Sequence, residues 1–309
     1  MTSVSVGGPR GLSRWSLIVM VVMLCGVGSG LSAQQFNVTY LDGRVEVQSS
    51  AEWVQLSIGD RVSADSKLTL GEDSYVELSG AGALIRISQP GRYSIHELFA
   101  ANRKLEASSA NAAIAGVLRN LVTTHTAKQS TAMGARAANE GTQQQDNWVY
   151  STAQVSLEDG KEFIESGEYT KAIERFHKAL NEASAGEAPE IKYYLAYAYS
   201  LDGNTRDSFK QLSEVQPAGG EEWASDYALL KAKLLLDTNA FNPAITLLTG
   251  QGEVLQQDEQ RAAMYFFLLA LGYRGIGDTE NEKTSLTKVI SMPSDSNVAY
   301  AASELLKTP

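Results

Sequence analysis

The sequence predicts a multidomain α and β chain, a small all-β domain followed by an all-α solenoid of paired helices. Two observations carry that fold class. Residues 36–98 alternate apolar and polar positions with turn residues every eight to twelve residues or so. The second half repeats a helix-turn-helix pattern at intervals of about 36 residues. Helix pairs repeated at that length bury their apolar faces only by stacking on neighbours. Solenoids present surfaces more than they perform chemistry, so the first functional expectation is binding.

Taken in order, the N-terminus reads as an export signal. Met1 to Arg14 carries Arg10 and Arg14 and no acidic residue; an apolar stretch from Leu17 to Cys25 follows, then a small-residue run from Gly26 to Ala33. These are the three parts of a secretory signal, and the apolar core is short of the roughly 20 residues a spanning helix needs. Cleavage after Ala33 is expected, with an uncleaved membrane anchor or acylation at Cys25 as alternatives. Membrane contact is expected only through this segment. Cys25 is the only cysteine, so the mature chain is expected to have no disulfide and to rely on core burial. Removing residues 1–33 takes away two arginines and no acidic residue, moving the formal charge from −10 to −12. Such acidity argues against nucleic acid, which needs a basic surface.

The strand region opens with Phe36, Val38 and Tyr40, then the tight-turn pair Asp42 and Gly43. Further short apolar runs reach Tyr93 and Ile95, separated by turns at Gly59 and Asp60, Gly71 to Ser74, Gly80 to Gly82, and Pro90 and Gly91. That spacing indicates a small sandwich or β-roll. Four stretches resemble the FecR-type periplasmic domain over about 36–98: DGRVEV (42–47), WVQLSIGDRV (53–62), LTLGEDSYVEL (68–78) and ALIRISQPGRYSI (83–95). The resemblance implies an opening hairpin before the Gly59 turn and an envelope location. A later family element is matched by Ser130 to Ala137, with Ala137 where the family has Gly. Members of that family relay signals to a cytoplasmic sigma factor, but only about 16 residues precede the apolar stretch here, too few for a folded sigma-binding domain.

Residues 99–127 place Leu98, Phe99, Leu105, Ile114, Val117, Leu118, Leu121 and Val122 among polar neighbours, as in one or two amphipathic helices. From 128 to 147 the apolar periodicity stops, as in a linker. The repeats then begin. Small residues recur at Gly160, Ala196, Ala232 and Ala270, turn residues at Gly167, Gly203, Asn239 and Gly277, and facing small residues at Ala172, Ser208 and Ala244. The first unit, GKEFIESGEYTKAIERFHKAL (160–180), resembles tetratricopeptide repeats, a likeness covering about 153–292. Small residues are expected where the two helices of a pair cross closely. The fourth unit departs, with Glu282 at the crowded position, and Pro293 ends it before a terminal capping helix over 295–307. The resulting partition is a signal or anchor (1–33), a β-domain (34–99), a helical segment and polar linker (100–152), and a solenoid with its cap (153–309).

No catalytic or metal constellation emerges. His96, His125 and His177 are read as lying in a strand, a helix-to-linker region and a repeat helix, without metal-ligand spacing. No phosphate-cradling loop or nucleophile elbow is present. Glu221 and Glu222, and Asp258 and Glu259, read as helix starts. No cofactor, no metal and no enzymatic activity are expected. The resemblance to tetratricopeptide arrays implies a groove lined by the first helix of each pair. Carried onto this chain, that groove holds Lys161, Tyr193, Tyr197, Lys233, Phe267 and Arg274, with Ile164, Leu229 and Leu271 beside them. Aromatic and basic residues together suit a peptide with acidic groups. The expected function is an exported, periplasmic or envelope scaffold for a protein or peptide partner. Two alternatives stand beside it: a sensory component of envelope signalling, and a module that binds cell-wall glycan through the β-domain.

Overall fold

The computed structural model describes residues 34–49, 52–106, 114, 116, 151–218, 221–293 and 296–307. The expected signal with Cys25, His125, the element at 130–137 and the linker at 128–147 lie outside the described residues. No helix among the described residues is long and apolar enough to cross a membrane.

Eight strands come first: β1 (Gln35–Asp42), β2 (Val45–Ser49), β3 (Glu52–Gln55), β4 (Arg61–Ser63), β5 (Lys67–Leu70), β6 (Tyr75–Gly80), β7 (Ala83–Ile87) and β8 (Gly91–Ser94). They form two four-stranded antiparallel sheets, ordered β4-β1-β6-β7 and β3-β2-β5-β8. Phe36, Val38, Val76, Leu78, Ile85 and Ile87 of the first sheet share one core with Val45, Leu68 and Leu70 of the second. Alternation of buried and exposed positions along β1 and β7 follows from one face of each sheet meeting that core.

The antiparallel pair ahead of the Gly59 turn is β2 with β3 rather than β1 with β2. Asp42 and Gly43 make a turn, but β1 and β2 belong to different sheets. Gly43 (φ 73°) swings the chain across the sandwich, and the Arg44 amide donates to Ser74 Oγ at 2.9 Å to hold the crossing. The turn at Gly80 to Gly82 does close a hairpin. Ala81 and Gly82 both have positive φ, 52° and 78°, beneath the Gly80–Ala83 pair, as a right-twisted two-residue connection requires.

The strand expected at Ile95 ends one residue sooner. Ile95 opens α1 (Ile95–Glu106), which places His96 on a helix. This helix serves two cores: Ile95, Leu98 and Phe99 complete the sandwich, while Ala101 packs on the helical region. Phe99 meets Phe36 edge-on at 5.4 Å.

Nine further helices follow among the described residues: α2 (Thr152–Glu165), α3 (Tyr169–Glu182), α4 (Ala188–Leu201), α5 (Thr205–Ser213), α6 (Ala224–Asp237), α7 (Phe241–Leu255), α8 (Glu259–Ile276), α9 (Thr279–Ser291) and α10 (Ser296–Lys307). They pack as four successive pairs, α2/α3 to α8/α9, each pair resting on the next, and α10 closes the end. First helices of neighbouring pairs pack on one another more closely than second helices do. The stack therefore has an inner side formed by α2, α4, α6 and α8.

Local chemistry accounts for the repeat. All four turns between paired helices use positive φ: Gly167 (78°), Gly203 (82°), Asn239 (58°) and Gly277 (80°). Glycine adopts that conformation freely, and asparagine is among the few others that tolerate it. Small residues set the crossings. A Cβ added to Gly160 would lie 2.3 Å from the Phe176 ring, and Ser208 Oγ donates to the Ala196 carbonyl at 2.6 Å. In the fourth pair the crowded position is solved differently. Glu282 is buried and accepts from Arg274 Nε at 2.6 Å, and another guanidinium nitrogen of Arg274 donates to the Leu305 carbonyl of α10 at 2.8 Å.

Candidate functional site

The six residues expected to line an open groove all fall in or beside the core. Tyr193, Tyr197 and Phe267 are 0–1% exposed, Lys161 is 2% exposed and Arg274 8%. Their partners lie within this chain. Tyr193 stacks on Trp223 at 5.2 Å and meets Tyr194 and Tyr197 edge-on. Burial, reinforced by the nearby Asp226 charge, holds the Tyr193 and Tyr197 hydroxyls well above the usual phenol range. Lys161 donates to Glu158 at 2.9 Å and Glu190 at 3.4 Å and sits 4.5 Å over the Tyr194 ring. Lys233 pairs with Asp237 at 2.5 Å, and Arg274 is committed to Glu282 and Leu305. Helical periodicity assigned these side chains to one face; it carried no information about what covers that face.

The open site lies elsewhere, between the sandwich and the helices. Two hydrogen bonds, one buried and one part-buried, fix the parts against each other. Ser88 Oγ, at the end of β7, donates to Thr238 Oγ1 at 2.8 Å. One residue on, Asn239 Nδ2 donates to the Arg86 carbonyl at 2.9 Å. Asn239 is the one asparagine among the four turns, and its side chain reaches the outer edge of β7. Where the other turns have glycine, no amide is available for this. Two ring contacts lie further out: Tyr75 against Phe209 at 6.5 Å, and the Arg206 guanidinium 4.5 Å over the Tyr40 ring.

Beyond these contacts the two parts diverge around a cleft of about 1270 Å³. Its sheet wall carries Tyr40, Asp42, Glu72, Asp73, Tyr75 and Pro90; its helix wall carries Arg206, Phe209 and Lys210 of α5, Lys231 of α6 and Pro243 of α7. Leu212, Leu234, Leu235 and Leu247 supply apolar lining. Asp42, Glu72, Asp73 and Lys210 are exposed, and no ion pair among the described residues engages them. The acidic side chains without an ion pair thus stand on the sheet wall, while on the helix wall Arg206 is paired with Asp207 and Lys210 and Lys231 remain as cations without one among the described residues.

The polar groups nearest the contacts are held firmly. Asp207 accepts from Arg206 and from Asn204, and both bonds draw its carboxyl below the usual range. Tyr75 donates to Glu77 at 2.9 Å, and burial together with that carboxylate pushes its hydroxyl far up, so it remains a donor. Among the described residues no histidine or cysteine lines the cleft. His177 instead meets the Tyr199 hydroxyl at 2.9 Å on an exposed surface. Among the described residues no group of three or more His, Cys, Asp or Glu side chains is placed to hold a metal ion.

Sequence reasoning missed the cleft because its walls, residues 40–90 and 206–247, are far apart in the chain. One signal was present: the turn residue Asn239 among three glycines. Comparison with protein-family models gives no match, and comparison with curated proteins gives none.

Proposed function

We propose that this chain is a non-enzymatic exported envelope protein, a FecR-like sandwich joined to a tetratricopeptide-type stack, that acts as a scaffold for a protein partner. The observation that carries the reading is the cleft between the two parts. Its volume of about 1270 Å³ exceeds the 300–1,000 Å³ or so typical of small-molecule sites. It suits a length of polypeptide instead. Apolar side chains of the partner would bury against Phe209, Leu234 and Leu247. Its charged side chains would meet Asp42, Glu72 and Asp73 on one wall and Lys210 and Lys231 on the other. Opposed charges of this kind confer register and orientation more than affinity. Export is supported by the arginine-bearing, apolar and small-residue succession of residues 1–33.

The test is cross-linking in cells. A photoreactive residue at Glu72 or Lys210, one on each wall, is expected to trap the same partner. The same residue at Tyr300, 63% exposed on α10, is expected to trap none. Equal trapping at all three positions, or trapping at Tyr300 alone, would remove the cleft from this role.

A further inference from the structure

The outward side of the second sheet is a surface apart from the cleft. Val45, Leu68 and Leu70 belong to the sandwich core, so their chain neighbours Glu46, Lys67 and Thr69 face outward, as alternation along a strand requires. The pairing register extends that face. Gln55, Glu46, Thr69 and Arg92 stand in one row across β3, β2, β5 and β8, and Trp53 stands beside Gln48 in the next. Among the described residues the one helix that packs closely on these strands is α1, through β8, and it joins the inner core. Strands β3 and β8 are the two edges of this sheet, three strand spacings or roughly 14 Å apart. Yet the Arg92 guanidinium lies 5.8 Å from the centre of the Trp53 ring. The two side chains therefore reach toward each other over β2 and β5, and the indole is no part of the sandwich core. Lys67 and Arg92 are exposed and make no ion pair among the described residues, whereas Glu46 is matched by Arg44 at 2.8 Å. An acidic chain of formal charge −10 thus carries two uncompensated cations beside a half-buried indole.

We propose that the outward face of the second sheet binds an acidic polysaccharide, a chain of pyranose sugars that bear carboxylates. Three features of such a ligand answer this face. The C–H side of a sugar ring stacks on the indole, whose flat face is the electron-rich part of the ring system. Carboxylates along the chain meet Lys67 and Arg92 in charge-assisted hydrogen bonds, two-pronged at the guanidinium. Hydroxyls at the sugar rim meet the amides of Gln48 and Gln55, which both donate and accept. A neutral glycan would leave both cations unanswered. A nucleic acid brings a phosphate with every nucleotide and needs a basic tract to neutralise them, and two free cations on an acidic chain do not make one. None of these residues lines the cleft, so the proposal goes beyond the protein-partner reading and does not rest on it.

The experiment is calorimetric titration of the full chain with oligosaccharides of polygalacturonate and of hyaluronan, with dextran as a neutral glycan and oligodeoxythymidylate as a nucleic acid. Binding of at least one acidic glycan is expected, and none of dextran. Trp53→Ala is expected to weaken it about tenfold or more, and Trp53→Phe, which keeps an aromatic face, to stay within about threefold of the unaltered chain. The double substitution Lys67→Gln with Arg92→Gln is expected to weaken binding and to flatten its dependence on salt. Should Trp53→Ala lower the melting midpoint, that double substitution, at two exposed positions, carries the test without disturbing packing. Binding of neither acidic glycan, dextran bound as tightly, a preference for oligodeoxythymidylate, or affinity indifferent to all these variants would overturn the proposal. Partner cross-linking at Glu72 and Lys210 reports on the cleft alone, so the two readings fail separately.

Discussion

Lys231 and Lys233 lie two residues apart on α6, about 200° around the helix, and mark two unlike surfaces. Lys233, expected on the inner side from the repeat register, is tied to Asp237. Lys231 lines the cleft and makes no ion pair among the described residues, donating instead to the Tyr227 hydroxyl at 3.3 Å. The contrast holds for the whole of each surface. On the inner side every cation of the expected groove has a carboxylate and the aromatics stack on one another. In the cleft, Asp42, Glu72, Asp73 and Lys210 are exposed and make no ion pair among the described residues. Aromatic and basic residues in one stripe therefore do not define a binding surface by themselves. What distinguishes the two is whether the chain has already supplied the partners.

The comparison is broken most severely at Arg274. Arg274→Ala would leave Glu282 buried and uncompensated and the Leu305 carbonyl without its donor. Breaking one side of a buried pair costs about 3–5 kcal/mol, and denaturant unfolding is expected to show it. The double replacement Arg274→Met with Glu282→Leu is expected to recover much of that loss, since no lone charge remains. A single-variant loss below about 1 kcal/mol would mean that the fourth pair opens to water and is no core.

The next effect is steric. Gly160→Ala places a methyl group 2.3 Å from the fully buried Phe176 ring. Alanine favours a helix by up to about 1 kcal/mol over glycine, whereas forced overpacking costs about 1–3 kcal/mol. A net loss is expected, read as a lower melting midpoint. A rise would mean that α2 and α3 can separate without cost.

How much of this was legible in the sequence depends on the range of the interaction. Period-2 alternation marked the strands, and a residue compatible with positive φ at 167, 203, 239 and 277 marked the helix turns. Both are local constraints of backbone geometry. Sheet assignment was not legible: Asp42 and Gly43 look like a hairpin turn, yet sheet membership depends on where Ser74 comes to lie. Nor was burial of the inner side, since helical periodicity is indifferent to whether solvent or protein faces it. Glu282 looked like a defect until Arg274, eight residues earlier, supplied its partner.

A smaller effect probes how the sandwich is attached. Asn239→Gly keeps the positive φ of the turn and deletes the amide that holds the Arg86 carbonyl. One net hydrogen bond contributes about 1 kcal/mol. Part of that is offset here, because Asn239 Oδ1 is itself buried without a partner. The expected loss is about 1 kcal/mol or less, with faster hydrogen exchange at β7 and its neighbours and none at α2 or α3. Uniform acceleration over the chain would mean that this contact supports the whole fold rather than the attachment.

The smallest effect on stability belongs to the cleft, and it sharpens the comparison most. Lys210 is exposed, makes no ion pair among the described residues and sits in the last turn of α5, where a cation interacts favourably with the helix dipole. Lys210→Gln loses that term and an exposed, screened attraction to the Asp207 carboxylate, so unfolding is expected to shift by about 0.5 kcal/mol or less. The same substitution removes one charge from the basic wall facing Asp42, Glu72 and Asp73. If the cleft seats a partner, complex formation should weaken and its dependence on salt should flatten, because an exposed cation acts over the screening length of about 8–10 Å. A stability loss as large as that of Arg274→Ala would erase the distinction between the two surfaces. Unchanged stability together with unchanged salt dependence would leave the inner side distinct but assign the partner to another face of the molecule.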